Sequence, residues 1–335
     1  MPPVILRRAH LIALAAMAAV AACAVSAPVA SAQLPGAPGD PAPQPPGAAN
    51  LKLDVDGVKN GRVLAGKRVH IRGTLTPFEA GQKVEITLAT GDKVVKQQVV
   101  EVKQGKKGDG EFHLKGPQMV EPGDYRARLR FDGSATAGAA EAQSNPFSIR
   151  YPGLRKGDKG PEVALYNKLL SKQGYATSSG KKFTQITAWA TLAFRKVQGM
   201  SRIQSSSSGI FKTLAEGRGA YKLEHPGAGR HAEVSLAKQV LVLAEGDRPR
   251  LTYHISSGAM ATPSDPGGFR FYRKDAGYNS LGMYYSSYYN RGEATHGYKS
   301  VPTHPASHGC IRIPIPQARQ VYNWVQVGMP MFVYH

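Results

Sequence analysis

From Leu51 to Tyr151 apolar and polar residues alternate with a period of two, the repeat of strands with one buried face. "LKLDVD", "RVHIRGTL" and "KVEITLAT" show it most clearly, and "ATGDK" (Ala89 to Lys93) supplies a turn between two such runs. "KVVKQQVVEVK", "EFHLK", "DYRARLRF" and "FSIRY" follow, punctuated by Gly, Pro and Asp. Beyond Gly153 the period lengthens. Val163, Leu165, Leu169 and Leu170 recur at helical spacing, and Gly174 is placed to end that helix. Ile186, Trp189, Leu192, Phe194 and Val197 mark a second helix over 185–197 with Thr184 as its N-cap. A shorter helix is expected over 212–216. From His231 to His335 the β pattern returns. "KQVLVLAEGDRPRLTYHISSG" reads as two strands about a Gly-Asp turn, "GGFRFYRK" as another strand and "MPMFVYH" as a closing one.

About seven short strands in a hundred residues predict an immunoglobulin-like sandwich for 51–151. The expected chain is multidomain and mainly β: that sandwich, a small three-helix bundle over 152–217, and a β-rich domain over 231–335. Ahead of them, Arg7 and Arg8 precede an apolar run from Leu11 to Val25, too short for a comfortable membrane span. "ASA" at Ala30–Ala32 offers a cleavage site, so 1–32 reads as a signal peptide. Residues 33–50 read as a Pro-rich linker, through "PGAPGDPAPQPPGA". "VAAC", ending at Cys23, resembles a bacterial lipobox and keeps open a lipid anchor at Cys23. Either reading exports the protein, and the membrane enters only through the leader or that lipid.

Export changes what the two cysteines mean. With Cys23 removed or lipidated, Cys310 has no partner for an intramolecular disulfide, and an unpaired thiol in an exported chain is a candidate reactive group. The formal net charge of +20, from 43 basic and 23 acidic residues, favours polyanionic partners. For an exported chain these are anionic wall polymers or lipid head groups. Nucleic acid is excluded by export and by the lack of any nucleic-acid motif.

The thiol itself has three readings: a nucleophile, a metal ligand or a small buried hydrophobe. A nucleophile needs a base within reach, and His254, His296, His304 and His308 are candidates. His308 stands two positions before Cys310, on the same face if the segment is extended. Zinc has enough ligand atoms in His296, His304, His308 and Cys310, but their spacing matches no common zinc framework.

"THGYKSVPTHPASHGCIRIP" resembles the signature of the L,D-transpeptidases, exported bacterial enzymes that cross-link peptidoglycan through a cysteine. His296-Gly297, Ser307-His308-Gly309-Cys310, Ile311 and Arg312 supply its fixed elements, and the likeness runs over Glu233–Tyr334. The spacer of ten residues between His296 and Ser307 is short and carries Pro302 and Pro305. Upstream, "LRKGDKGPEV", "LLSKQGY" and "KKFTQITAWATLAFRKVQGM" resemble a peptidoglycan-binding helical module. It departs from that pattern at Tyr166-Asn167, at Phe194-Arg195 and at "SSSSG".

The resemblance implies that Cys310 is the nucleophile and His296 the general base, oriented by the carbonyl of Gly297. It implies an oxyanion hole from the backbone around His308, Gly309 and Cys310. Read from the residues alone, Tyr285 is a substrate-binding candidate within an aromatic cluster with Tyr284, Tyr288 and Tyr289 that is a lid or groove over the peptide, or simply packed. The resemblance gives Ser307 and Arg312 to substrate binding, with Arg312 and His308 shaping the pocket or holding a substrate carboxylate. It needs neither metal nor cofactor. The implied partners are peptidoglycan stem peptides and glycan, in the cell wall or extracytoplasmic space. The implied reaction expels D-alanine from a stem tetrapeptide and joins the thioester to a neighbouring stem as a 3→3 cross-link. Water as acceptor would make the enzyme a carboxypeptidase. A wall-binding protein without catalysis is the reading from another class.

Overall fold

The computed structural model describes residues 46–335; the leader, the lipobox and most of the linker lie outside them. Ten strands come first: β1 (Asn50–Asp56), β2 (Arg62–Leu64), β3 (Arg68–Thr76), β4 (Lys83–Thr90), β5 (Lys93–Glu101), β6 (Lys103–Gln104), β7 (Gly110–Gln118), β8 (Asp124–Phe131), β9 (Ala140–Gln143) and β10 (Phe147–Arg150). They form one sheet of order β1-β3-β7-β6 and another of order β2-β10-β8-β4-β5, with β9 beside β8. β8 shows why. Tyr125, Ala127, Leu129 and Phe131 are buried while Asp124, Arg126, Arg128 and Arg130 face water. Inward residues of both sheets, among them Ile71, Leu75, Ile86, Leu88 and Leu114, meet in one core.

Three helices follow: α1 (Pro161–Lys172), α2 (Gln185–Val197) and α3 (Ser208–Ala215). Thr184 caps α2, its hydroxyl accepting from the Thr187 N–H at 3.3 Å. The third helix begins earlier than its apolar spacing suggests, because Ser207 caps it and receives the Ile210 N–H. In α2 the buried face is built from Ala188, Ala190, Ala193 and Phe194, while Ile186 and Trp189 are only half-buried.

The remaining elements are β11 (Arg230–Ser235), β12 (Val240–Glu245), β13 (Arg248–His254), β14 (Gly267–Arg270), β15 (Arg273–Tyr278), β16 (Tyr284–Asn290), β17 (Glu293–Tyr298), β18 (Ile311–Pro314), α4 (Ile315–Trp324) and β19 (Pro330–Tyr334). Two sheets result, ordered β13-β12-β11-β19-β14 and β15-β16-β17-β18. β12 is apolar from Val240 to Ala244 because both of its faces are covered there. Val240, Val242 and Ala244 join the core of the three helices. Leu241 and Leu243 join a second core with Ile311, Ile313, Val321 and Met331. The helical segment thus packs directly on the sheet that follows it.

Two expectations change. "GGFRFYRK" is two strands, β14 and β15, in different sheets, rather than one. Helix α4 interrupts the C-terminal β pattern. Its buried face is only Gln317, Ala318 and Val321, too narrow a stripe to stand out.

Candidate active site

The site is assembled by one parallel strand pair. β17 and β18 are in register with Thr295 opposite Ile311, His296 opposite Arg312 and Gly297 opposite Ile313. Cys310 immediately precedes β18. Side chains alternate along a strand and paired residues share a face. Ala294, His296 and Tyr298 of β17 therefore lie on the same side as Cys310 and Arg312. Cys310 packs beside Met283, Tyr288 and Ala294, as this requires. Helix α4 covers the opposite side, so close that a Cβ on Gly297 would sit 2.7 Å from the Cβ of Ala318.

His296 is buried, at 3% exposure. Its Nδ1 lies 3.0 Å from the carbonyl oxygen of Gly297. A carbonyl only accepts, so Nδ1 carries the proton and Nε2 the lone pair. Burial pushes the imidazole down to about 4; the Gly297 carbonyl pulls it partly back and the Arg312 charge lowers it further. At neutral pH the ring is an uncharged base. The half-buried Cys310 Sγ faces the Gly292 carbonyl at 3.7 Å. Burial pushes this thiol up; the Ala294 N–H and the Arg312 charge oppose that, and the Glu293 carboxylate adds to it. The pair is thus thiol and neutral imidazole, an arrangement in which a sulfur acting as nucleophile would have to give up its proton in the same step.

The backbone around Cys310 is held by hydroxyls. Ser307 Oγ donates to the Cys310 carbonyl at 2.5 Å. Ser264 Oγ donates to the Gly309 carbonyl at 2.5 Å and receives the Gly258 N–H at 3.0 Å. Gly309 has φ +108°, a conformation L side chains rarely adopt. With these carbonyls turned inward, the N–H groups of His308, Gly309 and Cys310 meet no acceptor among the described residues. Adjacent free donors beside a thiol can stabilise a developing oxyanion.

Of the residues expected from the sequence, Cys310, His296, Gly297, Ser307, Gly309 and Arg312 come together. His308 contributes its backbone, and its side chain is exposed. Arg312 is already engaged: Nη1 donates to the Ala306 carbonyl at 3.0 Å, and the guanidinium lies 4.3 Å from the Tyr298 ring centre. Its first role is to tie down the loop. Tyr285 requires a correction. The strand bulges between Tyr284 and Ser287, and Tyr285 has φ +50°. Its ring packs at 5.0 Å against Tyr322 of α4, on the side of the sheet away from His296. On the site face Tyr288 packs beside Cys310, and Tyr298 lies 5.6 Å from the His296 ring. The period-two rule applied from His296 points to Tyr298. The four histidines do not converge. His254 is buried among other partners, and among the described residues no cluster of three His, Cys, Asp or Glu side chains is arranged to hold a metal.

A family profile described as "YkuD: L,D-transpeptidase catalytic domain" matches residues 229–333. An L,D-transpeptidase structure from Xylanimonas cellulosilytica is 26% identical, with a TM-score of 0.51, over 55% of this chain and 98% of that one. An L,D-transpeptidase from Stackebrandtia nassauensis is 18% identical over 54% of this chain and 95% of its own, TM-score 0.34. The catalytic domain of an L,D-transpeptidase from E. faecium is 23% identical over 32% and 97%, TM-score 0.29. Among curated proteins none matches. The matched segment begins just before β11, ends within β19 and contains both strands that carry Cys310 and His296. The chain therefore carries, over residues 229–333, a catalytic domain of the YkuD L,D-transpeptidase family.

Proposed function

We propose that the protein is an exported cysteine L,D-transpeptidase that forms 3→3 cross-links between peptidoglycan stem peptides through a thioester on Cys310. The observation that carries this is the placement of Cys310 and His296 on one face of adjacent parallel strands, with Nδ1 of the imidazole fixed by Gly297.

In the first step Nε2 of His296 takes the thiol proton as Sγ bonds to the carbonyl carbon of stem residue three. The oxyanion is received by the free N–H groups of His308, Gly309 and Cys310. One such donor is typically worth about 3 kcal/mol in the transition state. The C–N bond to the terminal D-alanine then breaks, and the imidazolium returns its proton to the departing amine. In the second step an amine of a neighbouring stem attacks the thioester. His296 accepts its proton, the C–S bond breaks and the thiolate is reprotonated. The leader, the basic surface and the helical segment fit a protein that works in the wall and holds anionic wall polymers or glycan there.

Intact-mass measurement with a stem tetrapeptide tests the first step. The expected result is an acyl adduct that Cys310→Ala abolishes. Folded protein that never acquires the adduct rules the reading out. Adding an amine acceptor separates the outcomes: a 3→3 dimer marks a transferase, and release of tripeptide alone marks an L,D-carboxypeptidase.

A further inference from the structure

Helix α2 sends Lys196 out of the helical segment and into the C-terminal sheets. Its side chain is buried, at 3% exposure. Nζ donates to the carbonyls of Gln239 and Ile255, each at 3.0 Å, and lies 2.7 Å from Nδ1 of His254. The other ring nitrogen, Nε2, is 3.0 Å from the Val301 carbonyl and so must carry a proton. Satisfying these contacts takes every proton of an ammonium plus the single one of a neutral imidazole, or the same number divided between amine and imidazolium. Full satisfaction of the four contacts thus calls for one positive charge on the pair, and burial works against that charge. Among the described residues neither side chain has an ion-pair partner. Burial pulls the Lys196 amine down to about 6, and burial together with the Lys196 charge takes His254 down to about 3. Holding an amine this far from water costs folding energy, so its use is better sought in geometry.

What the pair holds is the segment between base and nucleophile. Val301 lies in the stretch from Lys299 to Gly309, and one route runs from Lys196 through His254 to its carbonyl. A second runs through Gln239, whose side chain grips Ser257 at both its hydroxyl (2.6 Å) and its N–H (3.0 Å). The Ser257 carbonyl takes the N–H groups of Ala306 and Ser307, at 2.8 and 2.9 Å. Ser307 in turn holds the Cys310 carbonyl. Arg202, just beyond α2, bonds the Thr303 carbonyl of the same stretch.

We propose that Lys196, acting through His254 and Gln239, is a positioning residue for the Cys310 loop, so that helix α2 helps set the nucleophile and its amide donors against the stem-peptide carbonyl. This rests on the acylation chemistry proposed above.

The test compares Lys196→Met, His254→Phe, His254→Gln and Arg202→Ala with the unaltered protein. It reads kcat and KM for acylation by a stem tetrapeptide, alkylation of Cys310 by iodoacetamide, and thermal unfolding. Iodoacetamide needs no oxyanion donors, so it reports the thiol alone. Lys196→Met and His254→Phe should lose kcat by on the order of tenfold to a hundredfold, as expected for misplacement of reacting groups by a remote change. KM and the alkylation rate should stay near their original values. His254→Gln keeps an N–H able to reach Val301 and should recover most of the loss. Arg202 is exposed, so Arg202→Ala should fold normally and still lower kcat. The proposal fails if these variants keep the original kcat, if alkylation falls in step with kcat, or if His254→Gln is as slow as His254→Phe. Should Lys196→Met not fold, the two His254 variants and Arg202→Ala decide. No acylation of the unaltered protein would instead sink the proposed function; normal acylation by every variant sinks only the role of Lys196.

Discussion

Substituting Gly297 by alanine tests how α4 fixes His296, the proposed base. Gly297 is in β17, opposite Tyr284 and Ile313, with no positive φ. Its requirement for glycine is therefore space, not backbone freedom. An added Cβ would lie 2.7 Å from the Cβ of Ala318 and 3.2 Å from both the Cβ and the carbonyl oxygen of Tyr284. Carbon pairs rest at about 3.5–4.0 Å, so helix and strand must separate by roughly 1 Å. Overpacking of this kind costs about 1–3 kcal/mol. The Gly297 carbonyl holds Nδ1 of His296, so the same shift moves the base. A displacement of about 1 Å is worth on the order of a hundredfold in rate. The assay is a double-mutant cycle with Ala318→Gly, followed by denaturant unfolding and by single-turnover acylation. Ala318→Gly alone should cost about 1 kcal/mol, from helix propensity. Combined with Gly297→Ala it removes the 2.7 Å contact. The pair should then be no less stable than Gly297→Ala alone, a coupling of about 1 kcal/mol or more. Rescue stays partial, because the Tyr284 contacts persist. Energies that add within about 0.5 kcal/mol would refute the packing argument.

Burial of His296 predicts a pH–rate limb for acylation that falls only as pH drops through about 4; a limb at the ordinary imidazole value would contradict it. The same burial affects stability. Below the ordinary value of about 6.5 the unfolded chain binds a proton that the folded chain refuses until about 4, so stability falls across that window. The loss from this ring alone is roughly 3 kcal/mol, and urea midpoints should show a flatter pH dependence in His296→Ala. Ser307→Ala leaves the Cys310 carbonyl unpaired and should cost about 1–3 kcal/mol in unfolding free energy together with a slower acylation step. Tyr298→Phe preserves the ring that Arg312 covers and should keep activity, whereas Tyr298→Leu removes a cation–π contact worth about 0.5–2 kcal/mol and should lower kcat/KM.

What the sequence disclosed depended on whether the relevant information lay within one element. β8 was readable because its alternation is complete, and Thr184 because a cap is local. The partner of Cys310 was not readable from residue types. His308 is nearest in the chain, but His296 reaches the thiol's face only through the register of β17 and β18, which the family signature supplied. Tyr285 was misplaced for the converse reason. A bulge resets the face of every residue after it, and nothing in "GMYYSSYY" marks where the bulge falls. Lys196 is the hardest case. Beside Arg195 near the end of an amphipathic helix it reads as a solvated charge favourable to the helix dipole. It is instead buried, because its neighbours in space are Gln239, His254 and Ile255 from another segment. Charge at a helix end and charge beneath the Cys310 loop are the same letters. Only the shared core between α2 and β12 distinguishes them, and that core is why the helices belong in any account of how Cys310 is positioned.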